Sequence, residues 1–226
     1  MAVDPPETRP DEPGLPGGPL AGAFHEGRRQ SLKPGAILFH EGDASGRVVL
    51  LLSGRVKAST FSGEGQETVL GFRGAGTVLG ELSAIDGEDH SATVTVVEEG
   101  EALIVSAARF IEVLEEEPGL ALTLLRSIIG RLRDADRKWA EFVSLDVVGR
   151  VAHRILELAV EAGEPAEGGG IRIGLVLSQR ELAGWVGSSR EAVNKALAQL
   201  QERGLIASER RHLVVLDVEG LRRRAS

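Results

Sequence analysis

The chain has no cysteine, and that absence removes disulfides, thiolate zinc sites and cysteine-held iron–sulfur clusters. No apolar run approaches the roughly 20 residues that span a bilayer, so membrane insertion is not expected. The first residues show no basic segment followed by an apolar stretch, so no secretory signal is read and a cytoplasmic protein is expected. Catalytic signatures are missing too. There is no nucleophile elbow, Walker loop, paired-histidine motif or dinucleotide fingerprint, and the glycine-rich segments punctuate strands without leading into helices. An enzyme is therefore not expected. Five histidines are present, but no two have ligand spacing, so neither a metal nor a haem is expected.

What is present is an ordinary globular composition, 42% hydrophobic and 27% charged over 226 residues, which suits two modest domains and a connector. A net charge of -8 looks wrong for a nucleic-acid binder, because cations supply most of the nonspecific affinity for phosphate. The distribution reverses that impression. From Ser178 to Ser226 nine Lys and Arg face six Asp and Glu, a net of +3, which leaves -11 on the remainder. A basic C-terminal module on an acidic partner domain follows, with a solvated basic surface as the alternative.

Residues 1–30 hold six of the nine prolines and five glycines with little apolar periodicity, and they read as a disordered arm. From Lys33 to about Gly100 short apolar runs (Ile37 to Phe39, Val48 to Leu52, Thr68 to Phe72) and the alternating Ala92–Val96 predict a compact β-barrel or roll. After Pro118 the apolar positions Leu122, Leu125, Ile129, Leu132, Trp139 and Val143 step by threes and fours, interrupted by Asp136. That is a coiled-coil seam suited to a parallel homodimer, in which a polar residue sets register or meets a ligand. A helix packed on its own domain with Asp136 solvated is the competing interpretation. A second helix is expected from about Asp146 to Ala162, ended by the Gly/Glu/Pro-rich stretch 163–170.

Ser178-Gln-Arg-Glu181 and Ser188-Ser-Arg-Glu191 are both S-x-x-E capping boxes. Two helices therefore start ten residues apart with Gly187 in the turn, the helix-turn-helix arrangement whose second helix enters the major groove of DNA. Val193, Ala196, Leu197 and Leu200 share an inward face, which leaves Glu191, Asn194 and Lys195 outward and Arg190 on the flank. Arg forks onto guanine, Glu accepts from cytosine and Lys donates to guanine, so the set suits base readout. A pair of ordinary capped surface helices is the alternative. Beyond them Ile206-Ala207 and Leu213 to Leu216 flank Arg210 and Arg211 as a winged hairpin whose arginines would clamp phosphate.

The order of elements, the segment Gly80 to Ala92, the hinge Leu145 to Arg150 and the segment Ser178 to Leu200 together resemble the cyclic-AMP receptor and fumarate–nitrate regulator (CRP/FNR) family over about residues 31–220. The resemblance implies an α+β fold: a disordered arm (1–30), a β-roll effector domain (31–117), a dimerisation helix (118–145) and a winged helix-turn-helix domain (146–226). It implies that Arg190, Glu191 and Lys195 contact bases and that Ser189 and Arg180 hold phosphates, with Ser178, Ser188 and Asn194 beside them. The targets would be palindromes with TGTGA-like half-sites about one helical turn apart. RNA polymerase would be a further partner. Where the family's third base-reading position carries arginine this chain has Lys195, turning a bidentate contact into a point contact.

Effector contacts implied by the resemblance are Gly80, Glu81, Leu82, Ser83, His90 and Ser91 in the phosphate-binding cassette, and Ala135 and Asp136 on the long helix. His90 stands where the family's cassette arginine pairs with the cyclic phosphate. Losing such a charged partner costs about 1.5–3 kcal/mol, one to two decades of affinity. Asp136 would favour the donor-rich edge of guanine, so cAMP, cGMP and cyclic di-GMP are all candidate effectors. Cyclic di-GMP has its own pattern in Arg133-Asp-Ala-Asp136, an R-x-x-D that any charged helix often contains. An effector-independent regulator, or a cyclic-nucleotide-binding module without a DNA function, completes the alternatives.

Overall fold

The computed structural model describes residues 18–166, 169–175, 177–209 and 212–225. They fall into two compact units, residues 18–58 with 72–127 and residues 59–71 with 128–225.

The first unit begins on a 3-10 helix, Gly18–Phe24, which buries Leu20, Ala21, Ala23 and Phe24. The expectation of a disordered arm to residue 30 is corrected here. Four apolar side chains in seven residues bury enough surface to order the backbone, and the Phe24 ring lies 5.7 Å from Phe110. The arm's residues 1–17 lie outside the described residues.

The sheet follows as β1 (Arg28–Leu32), β2 (Ile37–Phe39), β3 (Arg47–Phe61), β4 (Glu67–Arg73), β5 (Val78–Leu79) and β6 (Thr93–Ser106), with the short helix α1 (Glu81–Asp86) between the last two. Its order is β1-β6-β3-β4, while β2 pairs with β6 and β5 with β3. β1 runs antiparallel to β6 with Arg28 opposite Ile104 and Leu32 opposite Gly100. The inward residues Leu32, Leu38, Phe39, Val49, Leu51, Val56, Leu79, Val94, Val96 and Ala102 form one core. Two-residue periodicity puts Val49 with Leu51 on one face of β3, and Val94 with Val96 and Ala102 on one face of β6. α2 (Ala107–Glu116) closes the roll, its first turn capped by Ser106, whose hydroxyl accepts from Arg109 N at 3.2 Å.

The long helix α3 spans Pro118–Ser144, and from Ile128 onward it belongs to the second unit. α4 (Val147–Ala162) starts at the cap residue Asp146, whose carboxylate accepts from Gly149 N at 2.8 Å. The stretch after α4 breaks the helix as expected but also forms β7 (Gly163–Pro165), paired with β8 (Ile171–Ile173). Then come α5 (Gln179–Val186), α6 (Arg190–Glu202), β9 (Ile206–Glu209), β10 (His212–Val215) and α7 (Val218–Arg224). The small sheet has the order β7-β8-β10-β9. Val151, Ala152, Ile155 and Leu158 of α4 are buried, as are Leu182, Val186, Val193 and Leu200 of the next two helices. Among the described residues no helix is long and apolar enough to cross a membrane.

Candidate nucleic-acid interface and effector cassette

The turn between α5 and α6 is built by its capping chemistry. Ser178 Oγ accepts from Glu181 N at 3.2 Å and the Glu181 carboxylate accepts from Ser178 N at 2.9 Å, completing the predicted box at the start of α5. At the other end Gly187 adopts φ +62, and both its N–H and that of Ser188 donate to the Ala183 carbonyl. Only a residue tolerant of the left-handed region closes the helix this way. Ser188 is therefore consumed in ending α5. The expectation of a Ser188–Glu191 box is corrected: the cap of α6 is Ser189, whose Oγ accepts from Ala192 N at 3.2 Å, and the helix runs from Arg190.

From that start Val193, Ala196 and Leu200 are buried and Leu197 is half-buried. Ser189, Arg190, Glu191 and Lys195 stand exposed, as do Ser178 and Arg180 on α5, whereas Ser188 is half-buried. Asn194, expected on the outer face, is also half-buried, and its Oδ1 is shut off from solvent with no hydrogen-bond partner among the described residues. Gln179, which sequence reasoning passed over, accepts from Arg190 Nε at 3.4 Å. β9 and β10 form the hairpin of the wing with His212 opposite Glu209. Arg210 and Arg211 lie outside the described residues.

In the roll, the cassette residues Gly80, Glu81, Leu82, Ser83, His90 and Ser91 are gathered on α1 and the loop after it. Gly80 holds φ +80, and a Cβ there would lie 2.9 Å from Arg47 O and 3.0 Å from the Phe39 ring. Glu81 is 2% exposed and His90 6%, while Leu82 and Ser91 face solvent. The buried Ser83 donates to Asp89 O at 3.2 Å. His90 is gripped through its backbone by Asp43 O and Gly42 N, both at 2.8 Å, and its ring lies 4.2 Å from that of Phe39. Burial holds the imidazole below its ordinary value, and nearby Arg47 adds to this; Asp43, Asp89 and Glu81 oppose it. Arg47 itself is occupied, donating to Leu38 O at 2.6 Å and lying 5.5 Å from the Phe39 ring centre. His90, which the resemblance puts at the cassette's cationic position, is a buried imidazole packed on Phe39 and does not present the permanent, exposed charge that an arginine there would offer a cyclic phosphate.

On α3 the expected effector residues Arg133, Ala135 and Asp136 are exposed, in the second unit, while the cassette belongs to the first. The seam residues are exposed as well: Leu122, Leu125, Ile129, and most strongly Leu132 at 60%, Trp139 at 71% and Val143 at 72%. Only Leu124 of α3 is buried among the described residues.

Residues 29–117 match the cyclic nucleotide-binding domain, and residues 149–224 match the Crp-like helix-turn-helix domain. A CRP-like cAMP-activated global transcriptional regulator of Mycobacterium tuberculosis is 36% identical over 191 residues, 84% of this chain and 85% of that protein. The chain belongs to the CRP/FNR family of transcription regulators. Another relative is the cAMP-activated global transcriptional regulator Vfr of Pseudomonas aeruginosa, 29% identical over 192 residues, 83% of this chain and 88% of that protein. Among solved structures, the c-di-GMP-responsive global regulator CLP of Xanthomonas campestris superposes with a TM-score of 0.78 at 25% identity, covering 87% of this chain and 99% of that one. Members of this CRP/FNR family thus include both cAMP-activated and c-di-GMP-responsive proteins.

Proposed function

We propose that the protein is a homodimeric, sequence-specific DNA-binding transcription regulator, not an enzyme, that reads TGTGA-like palindromes. The observation that carries this reading is the exposed trio Arg190, Glu191 and Lys195 on α6, standing over the buried Val193, Ala196 and Leu200. Arg190 and Lys195 supply donors to guanine and Glu191 an acceptor for cytosine N4. Arg180 and Ser189, exposed beside them, supply phosphate contacts that fix register. The apolar stripe of α3 supports the dimer, since such a stripe on an isolated chain is a surface that a second copy buries. RNA polymerase is the further partner that a regulator of this kind engages from the promoter. Disulfide-free and cytoplasmic, the protein meets DNA directly.

The effector is a small molecule, a cyclic purine nucleotide, met without a cationic partner in the cassette. cAMP is therefore bound about 10- to 100-fold more weakly than by a cassette with an arginine at the His90 position. A second reading is cyclic di-GMP held by Arg133 and Asp136, supported by their exposure on α3 and by the CLP likeness. A third reading is DNA binding independent of effector, supported by the burial of His90 within the cassette.

A gel-shift titration with a TGTGA palindrome, with and without each nucleotide and at rising salt, tests the core of this. Salt-sensitive binding stronger than to a scrambled duplex is the expected result. No salt-sensitive binding under any condition overturns it.

A further inference from the structure

Three segments meet on one side chain. Arg150, in the first turn of α4, donates from Nε to the carbonyl of Val186 at 2.9 Å and from Nη1 to the carbonyl of Leu145 at 2.8 Å. Its guanidinium carbon lies 4.9 Å from the ring centre of Phe142 in the last turn of α3. Val186 ends α5, and Leu145 follows the last residue of α3. The Phe142 ring reaches the same turn, since a Cβ built on Gly187 would stand 3.2 Å from its Cε2. One guanidinium thus ties the end of α3, the linker after it, and the turn from which α6 departs.

The residue type is demanded by the geometry. A planar fork serves two carbonyls in different directions while its face rests on an aromatic ring, and an ammonium on a flexible stem does not. The cation also sits at the carbonyl end of α5, where charge of that sign is favoured. One turn further along α4 a second tie repeats the theme. Arg154, buried, pairs with Glu141 of α3 and Glu157 of α4, and its guanidinium carbon lies 5.5 Å from the ring centre of Trp185 on α5. Lys138 of α3 approaches that same ring at 5.8 Å. α5 is therefore held to α3 at two levels, and the outer level is Arg150.

We infer that Arg150, braced by Phe142, is a positioning residue for DNA recognition. It sets the angle between the dimer helix α3 and the turn that aims α6, and through it the separation at which two copies present their reading helices. The inference rests on the dimeric, palindrome-reading function proposed above. It adds that spacer discrimination, as distinct from base discrimination, resides in this side chain.

The test uses the full chain and a panel of TGTGA palindromes whose spacer is optimal or altered by one or two base pairs, together with a single half-site duplex, read by fluorescence anisotropy. Wild type is expected to lose about tenfold in affinity or more when the spacer departs from the optimum. Arg150→Met is expected to lose affinity on the optimal spacer alone, so that the spread across spacers shrinks to within about twofold while half-site binding is unchanged. Arg150→Lys keeps the charge and is expected to fail to restore the spread. Phe142→Leu, which leaves the two carbonyl bonds in place, is expected to fall between, and it carries the test should Arg150→Met not fold. A wild-type spacer profile in Arg150→Met and Phe142→Leu overturns the inference, as does a loss shared by every duplex including the half-site. A wild-type chain that binds palindrome and half-site alike overturns the dimeric reading first, and this inference with it.

Discussion

The reading helix and the effector cassette treat their polar side chains in opposite ways. On α6 the residues with base-reading chemistry, Arg190, Glu191 and Lys195, stand in solvent above a closed apolar face. In the cassette Glu81, Ser83 and His90 are buried, with Ser83 bonded to Asp89 and His90 wedged against Phe39. An exposed donor exchanges water for a base edge at little cost. A buried group must first break the bonds it already has. On the proposed function, DNA readout would be laid out in advance, whereas ligand recognition at the cassette would require its polar groups to be released.

The comparison breaks most completely at the seam. Leu125→Asp with Leu132→Asp places like charges in the apolar stripe of α3 and is expected to give a monomer in light scattering. Palindrome affinity should then fall by about 10²–10⁴, the effective-concentration gain of joining two half-sites, while half-site binding persists because α6 is untouched. Next in size is Glu191→Ala. Removal of one base contact costs about 1–3 kcal/mol, roughly 5- to 150-fold per half-site, and should relax discrimination at the cytosine it reads. Melting should not change, since Glu191 is exposed.

Asp146→Ala has a smaller effect, of the order of 1 kcal/mol for a lost helix cap, seen as a melting point about 2–4 °C lower. The Gly149 N–H bond, followed by the Arg224 side chain, holds the Asp146 carboxylate below its ordinary value, against a desolvation effect of opposite sign. Its stabilisation is therefore present above the unfolded-state value of 3.8 and is lost as pH falls through the lower folded-state value. The Asp146→Ala variant should lack that acid-side component.

The smallest effect sharpens the cassette side. His90 is held below 6.5 by burial, so the unfolded chain takes up its proton first as pH drops. The stability it gives is full above that value and is lost progressively below it. Melting of wild type should decline on mild acidification more steeply than that of His90→Gln. Equal slopes would show that the imagined neutral wedge is not what this side chain provides.

Much of this was legible in the sequence where periodicity and composition agree. The stripe of α3, the inward face of α6 and the first capping box all follow from spacing that any helix must obey. The second box misled because two serines adjoin: the motif names both, and the left-handed Gly187, by drawing Ser188 N–H to Ala183 O, decides for Ser189. The start of the roll was obscured by the prolines around Gly18–Phe24, although the partner that orders it, Phe110, lies far along the chain. β7 and β8 were hidden in a glycine-rich stretch whose pairing is tertiary. The burial of His90 against Phe39, and the bond from Arg150 to the Val186 carbonyl, were invisible for the same reason: in each pair the partners lie far apart in sequence.

The central claim is that two copies of this chain read one palindrome. Titrating protein into a fixed, saturating concentration of TGTGA palindrome, and in parallel into a duplex with the second half-site scrambled, measures it directly. The account predicts an end point of two chains per palindrome and clearly weaker binding to the scrambled duplex. One chain per duplex, with equal affinity for both, would contradict it.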